Sequence, residues 1–181
     1  MSKKYSIIYA DPPWDYGGQT QHNKVKSSGG ADKHYPCMKL RQLKMMKVKE
    51  ITEDDCLLFL WSTSPHLDQS IELMKAWGFD YKTIGFVWNK ERVNPGFYTM
   101  SQVEVCLIGK KGKIPSPRGK RNIRQYLKQM RGKHSSKPNE VRKRIEEMFP
   151  SQSKVELFAR STSGGWDSWG NEASNVDLDL L

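Results

Sequence analysis

The residues best suited to chemistry form one tetrapeptide, Asp11-Pro12-Pro13-Trp14. An amino group attached to an aromatic base is a poor nucleophile, because its lone pair delocalises into the ring. Acceptors that orient its hydrogens and stabilise developing positive charge make it useful. Asp11 supplies one such acceptor. Pro12 supplies a second, since a prolyl residue presents a carbonyl with no N–H of its own. Trp14 offers a flat face for a base, and stacking of this kind is worth about 1 to 3 kcal/mol per base. The same four residues also suit a tight turn beside a core Trp, and the tetrapeptide alone leaves both readings open.

Something must hold that loop in place. The run Tyr5-Ser6-Ile7-Ile8-Tyr9-Ala10 is rich in β-formers and stops at the prolines, so the tetrapeptide falls at a strand end. In α/β sheets, ligands sit beyond the carboxyl ends of parallel strands. Residues 40–48 predict a short helix, and the continuous apolar run 55–61 predicts a central strand buried on both faces. Leu67, Ile71, Leu73, Met74 and Trp77 mark the apolar side of a helix ending at Gly78. Residues 81–87 and 103–108 read as strands joined through a turn at Pro95-Gly96, a helix runs from Pro138 toward Met148, and a last strand covers 155–158. This alternation predicts one domain over residues 1–181: an α/β fold with a mostly parallel central sheet, an antiparallel strand pair near 81–108, and flanking helices. Residues 17–32 are polar and rich in Gly and Ser, the composition of a mobile surface loop.

The chain carries a formal charge of +10, but unevenly. Residues 110–144 hold fourteen basic side chains and one acidic one, so that +13 lies there and the remainder sums to −3. Such a segment fits a nucleic acid, with Lys120, Arg121 and Arg124 as candidate phosphate contacts, an ordinary solvated face, or contact with an anionic membrane. No run resembles a signal peptide or a membrane span of roughly 20 apolar residues, which predicts a cytoplasmic protein with no membrane partner. Cys37, Cys56 and Cys106 are odd in number and widely spaced, so reduced thiols are expected rather than a disulfide framework. No His, Cys, Asp and Glu cluster has metal-ligand spacing. No catalytic metal is expected.

Five ordered blocks resemble the MT-A70 family of adenine-N6 methyltransferases. They are Ala10-Asp11-Pro12-Pro13-Trp14, Lys33-His34-Tyr35-Pro36-Cys37-Met38, Ser136-Lys137-Pro138-Asn139-Glu140, Glu156-Leu157-Phe158-Ala159-Arg160 and the stretch from Gly165 to Glu172. The resemblance implies a Rossmann-like methyltransferase fold and S-adenosylmethionine as cofactor. It makes Asp11, Pro12, Pro13 and Trp14 the catalytic loop and aims Lys137 at the methionine carboxylate of the cofactor. Glu156, Arg160, Asn171 and Glu172 then belong to the cofactor side, where an amide and a carboxylate can satisfy ribose hydroxyls. Tyr35 falls in a block resembling a substrate-side loop and can pack on a flipped base or on Trp14.

The expected activity is adenine-N6 methylation of a nucleic acid, with DNA preferred and RNA possible. Cytosine-N4 methylation and a non-catalytic nucleic-acid-binding partner are the other readings. No separate target-recognition domain is evident. Sequence specificity is therefore expected from residues 17–32, from the basic segment, from a second copy in a homo-oligomer, or from a partner subunit.

Overall fold

The computed structural model describes residues 3–15, 37–96, 98–130, 132 and 136–181. The predicted loop 17–32 and Tyr35 lie outside the described residues.

The strand leading to the tetrapeptide, β1 (Tyr5–Ala10), is the hub of the sheet. It pairs in parallel with β2 (Thr52–Ser62) on one side and with β6 (Lys154–Leu157) on the other. The sheet has seven strands in the order β5-β3-β4-β2-β1-β6-β7, with β3 at Asp80–Pro95, β4 at Met100–Lys111, β5 at Tyr126–Lys128 and β7 at Asp167–Trp169. Among the described strands β4 alone runs against the others, pairing antiparallel with both β2 and β3. The architecture is thus the expected mostly parallel sheet, with the antiparallel interruption where the sequence placed it. It is a Rossmann-like methyltransferase arrangement.

The continuous apolar run of β2 is explained by burial on both sides. Leu58 and Leu60 join one apolar cluster, with Leu43 of α1 (Leu40–Met45) and Leu73 and Met74 of α2 (Leu67–Ala76). Leu57, Phe59 and Trp61 join the other, with Val141 and Ile145 of α3 (Asn139–Met148). Side chains alternate along a strand, so one run of large residues feeds two cores. Two helices cover one face and α3 covers the opposite one.

Helix α2 stops as its sequence predicts. Gly78 adopts φ +87° and the Phe79 N–H donates to the Met74 carbonyl at 2.9 Å, closing the helix with a left-handed residue. Trp77 then donates its indole N–H to the Leu43 carbonyl at 2.8 Å, tying α2 to α1.

Three features differ from the sequence reading. The helix expected over 40–48 ends at Met45 and is followed by a 3-10 turn at Val48–Ile51. Strands β3 and β4 run far beyond 81–87 and 103–108, since mutual hydrogen bonding carries them through polar residues that have no strand pattern of their own. The short strands β5 and β7 were not anticipated. Each has three residues and exists by pairing with a longer neighbour. Cys56 and Cys106 are buried free thiols, and no helix among the described residues is long and apolar enough to cross a membrane.

Candidate active site

The carboxyl ends of the parallel strands converge on Asp11. It follows β1 directly, Ser62 closes β2 beside it, and Arg160 comes just after β6. Because β4 runs in reverse, its amino-terminal half reaches the same end of the sheet: Val105 is opposite Ser62, and Glu104 is the next residue out. Lys137 enters from the segment before α3. Two clefts meet here, and Asp11, Lys137 and Arg160 line both.

Lys137 is the electrostatic centre. Its Nζ lies 2.9 Å from each carboxylate oxygen of Asp11 and 3.3 Å from Glu104 Oε2. It also sits 5.6 Å from the centre of the Trp61 ring, within cation–π reach. Burial alone would lower the lysine pKa, but the two carboxylates outweigh it and hold the ammonium above its ordinary range. Glu104 takes a second cation, Lys90, at 3.2 Å. Burial pushes the Glu104 carboxyl up, yet Lys137 and Lys90 together bring it below its usual value. Asp11 is thus held by a buried cation that the sequence reading had aimed at the cofactor carboxylate.

The loop from Asp11 to Trp14 is itself tightly built. The Trp14 N–H donates to the Pro12 carbonyl at 2.9 Å, and the Met38 N–H donates to the Pro13 carbonyl at 2.8 Å. A carbonyl oxygen has two acceptor sites, so Pro12 retains one for a ligand. Trp14 is 5% exposed, its indole N–H points to the Trp61 carbonyl at 3.4 Å, and His66 stacks on it with ring centres 5.5 Å apart. Burial holds His66 below its ordinary pKa, against its hydrogen bond to the Asp15 backbone. Trp14 belongs to the core and also lines the first cleft.

The second cleft is lined by Glu156, Arg142 and Tyr9 as well as Asp11, Lys137 and Arg160. Arg142 Nη2 lies 3.0 Å from Glu156 Oε2. Burial raises the Glu156 pKa to about 7, Arg142 opposes that rise, and the charge of Asp11 reinforces it. Pairing of β6 with β7 brings the remaining predicted residues near. Arg160 Nε lies 4.0 Å from Glu172, and Asn171 and Glu172 are exposed beside it. Gly170 permits this approach, since a Cβ there would lie 2.4 Å from the Ala159 carbonyl oxygen.

The described part of the basic segment divides between the site and the surface. Lys137 and Arg142 are committed to the site, and Arg144 pairs with Glu140 while donating to the Arg124 and Tyr126 carbonyls. Lys120 pairs with Glu147 at 3.0 Å. Arg121 and Arg124 are exposed in the connection from β4 to β5. Sequence reasoning missed Glu104, Lys90, Arg142, Tyr9 and Trp61. A signal existed for Glu104: it is the one carboxylate in the apolar stretch Val103-Glu104-Val105-Cys106-Leu107-Ile108.

Comparison with known proteins agrees with this geometry. Residues 5–172 match the MT-A70 family model. The chain is 50% identical over 190 residues to the type II methyltransferase M.MunI of Mycoplasma sp, covering 98% of this chain and 82% of that protein. It is 32% identical to a putative N(6)-adenosine-methyltransferase MT-A70-like protein of Medicago truncatula, covering 97% of this chain and 27% of the relative. It is 25% identical to the N(6)-adenosine-methyltransferase catalytic subunit of Homo sapiens, with 97% and 29% covered. With Asp-Pro-Pro-Trp at the end of β1 and Lys137, Glu156 and Arg160 lining the cleft beside it, the chain belongs to the MT-A70 family and is an S-adenosylmethionine-dependent adenine-N6 methyltransferase.

Proposed function

We infer that the nucleic acid methylated is DNA. The observation that carries this reading is the type II methyltransferase relative, matched at 50% identity over 82% of its own length. Type II methyltransferases modify DNA, whereas the relatives named as N(6)-adenosine-methyltransferases are matched over 24 to 29% of theirs.

In the proposed mechanism the first cleft receives the adenine. The amine donates one hydrogen to Asp11 and the other to the free acceptor site of the Pro12 carbonyl, while Trp14 supports the ring plane. Lys137 holds the Asp11 carboxylate in position, so the acceptor is in place before the base arrives. Glu104 balances the charge of Lys137. Together they form a preset electrostatic frame.

The donor set also fits the cofactor. The amino-acid end of S-adenosylmethionine carries one ammonium and one carboxylate, and the second cleft offers carboxylates at Asp11 and Glu156 beside cations at Lys137 and Arg160. Asn171 and Glu172 have the amide and carboxylate groups to satisfy the cofactor's ribose hydroxyls. When bound, the cofactor supplies an electrophilic methyl group on a sulfonium.

Matched random-sequence DNA and RNA pools, incubated with cofactor and digested to nucleosides for mass analysis, test the reading. N6-methyldeoxyadenosine is expected, and it should be nearly absent with Asp11→Ala. Methyladenosine from RNA alone would overturn the DNA assignment. N4-methylcytosine would overturn the base.

A further inference from the structure

The hairpin joining β3 to β4 continues well past the active site. Trp88 pairs with Glu104, whose carboxylate touches Lys137, and the two strands stay paired outward through Asn89 with Val103, Asn94 with Ser101, and Pro95 with Met100. Antiparallel strands rise about 3.4 Å per residue, so the tip stands on the order of 20 Å beyond Glu104.

Large apolar side chains become more exposed along that projection. Val103 is 38% exposed, Val93 48%, Met100 62% and Tyr98, at the tip, 103%. Tyr98 also adopts φ +63°, a left-handed conformation uncommon for a bulky residue. A single exposed apolar residue needs no explanation. Four on one arm, rooted in the strands that carry the active-site carboxylate, do need one. Arg92 stands exposed on the same arm and has no ion pair among the described residues. The arm therefore presents an aromatic ring together with a cation, the pairing that grips nucleic acid.

The chemistry of the reaction supplies a role. Asp11 and the Pro12 carbonyl lie within a cleft, so an adenine in a duplex reaches them only by leaving its stack. The vacated position costs stacking unless a flat or apolar side chain fills it. We propose that the β3–β4 hairpin is a wedge: Tyr98 occupies the space left by the extruded adenine, with Met100 and Val93 against the neighbouring bases and Arg92 on a flanking phosphate. The wedge role rests on the DNA reading above. Tyr98 is then a positioning residue needed for paired substrate and dispensable for unpaired substrate.

The test compares Tyr98→Ala, Tyr98→Phe and the unaltered full-length chain on amplified, unmethylated DNA, supplied as duplex and after heat denaturation. For Tyr98→Ala, kcat/KM on duplex should fall about tenfold or more, with at most a small change on denatured strands, and Tyr98→Phe should restore it. A second readout works even if denatured DNA is a poor substrate. Permanganate attacks thymines that lose their stack, so the unaltered enzyme should sensitise thymines opposite its target adenines, and Tyr98→Ala should bind the duplex without doing so. Equal rates on duplex for Tyr98→Ala and the unaltered chain would overturn the wedge. So would equal loss on both DNA forms accompanied by a change in sedimentation, which would instead make the arm a contact between two copies. Failure of the unaltered chain to methylate either DNA form, with RNA methylated, would overturn the DNA reading and the wedge together.

Discussion

At the level of single residues, the site is organised by buried charges that must be mutually satisfied. A carboxylate taken from water is costly unless paired, and Asp11, Glu104 and Glu156 share three cations: Lys137, Lys90 and Arg142. Glu156 is the least well compensated. Its folded pKa of about 7 lies above the ordinary 4.5, so the folded protein binds its proton more tightly than the unfolded chain does. The stability this contributes is fully present below pH 4.5 and is lost as pH rises through about 7. Glu156→Gln removes the ionisation. Its Tm relative to the unaltered protein should therefore climb with pH across that window, and scans at half-unit pH intervals will check it. A flat difference would mean that Arg142 keeps Glu156 ionised throughout.

Among the elements, β2 does most to position the site, because it lies between β1 and the reversed β4 and carries large side chains into both cores. Phe59 has no exposed surface and meets Phe86 and Phe149 at ring separations of 6.2 and 6.5 Å. Truncating a buried Phe costs about 3 to 5 kcal/mol, and Phe59→Ala should lose that much in chemical denaturation. The loss should appear as a lower denaturation midpoint with an unchanged slope. The double burial of β2 was legible as an unbroken apolar run. The lengths of β3 and β4 were not, since residues such as Asn89, Lys90 and Glu91 enter the sheet through partner strands and not through their own preferences.

For the whole molecule, the basic segment divides its charge: Lys137, Arg142 and Arg144 are held by carboxylates, while Arg121 and Arg124 are exposed. Each phosphate contact contributes about one to the slope of log affinity against log salt. Arg121→Ala with Arg124→Ala should weaken DNA binding evenly across sequences and reduce that slope by about 2 if both touch phosphate. Titrations of labelled duplex at several salt concentrations will measure it. An unchanged slope would place the backbone contacts elsewhere.

The sequence by itself determined the α/β class, the central strand, and the placement of Asp11-Pro12-Pro13-Trp14 at a strand end, because apolar runs, prolines and glycines act locally. It also marked Lys137, Glu156 and Arg160 as members of one site through their blocks. Only the tertiary structure decided what each does there. Lys137 lies 126 positions from Asp11, and no local pattern could say that its ammonium would hold a protein carboxylate. Nor could composition distinguish a cation buried against Glu104 from one open to phosphate. That choice is set by which strands pair and in which direction, and the reversal of β4 is what brings Glu104 to the same end of the sheet as Asp11.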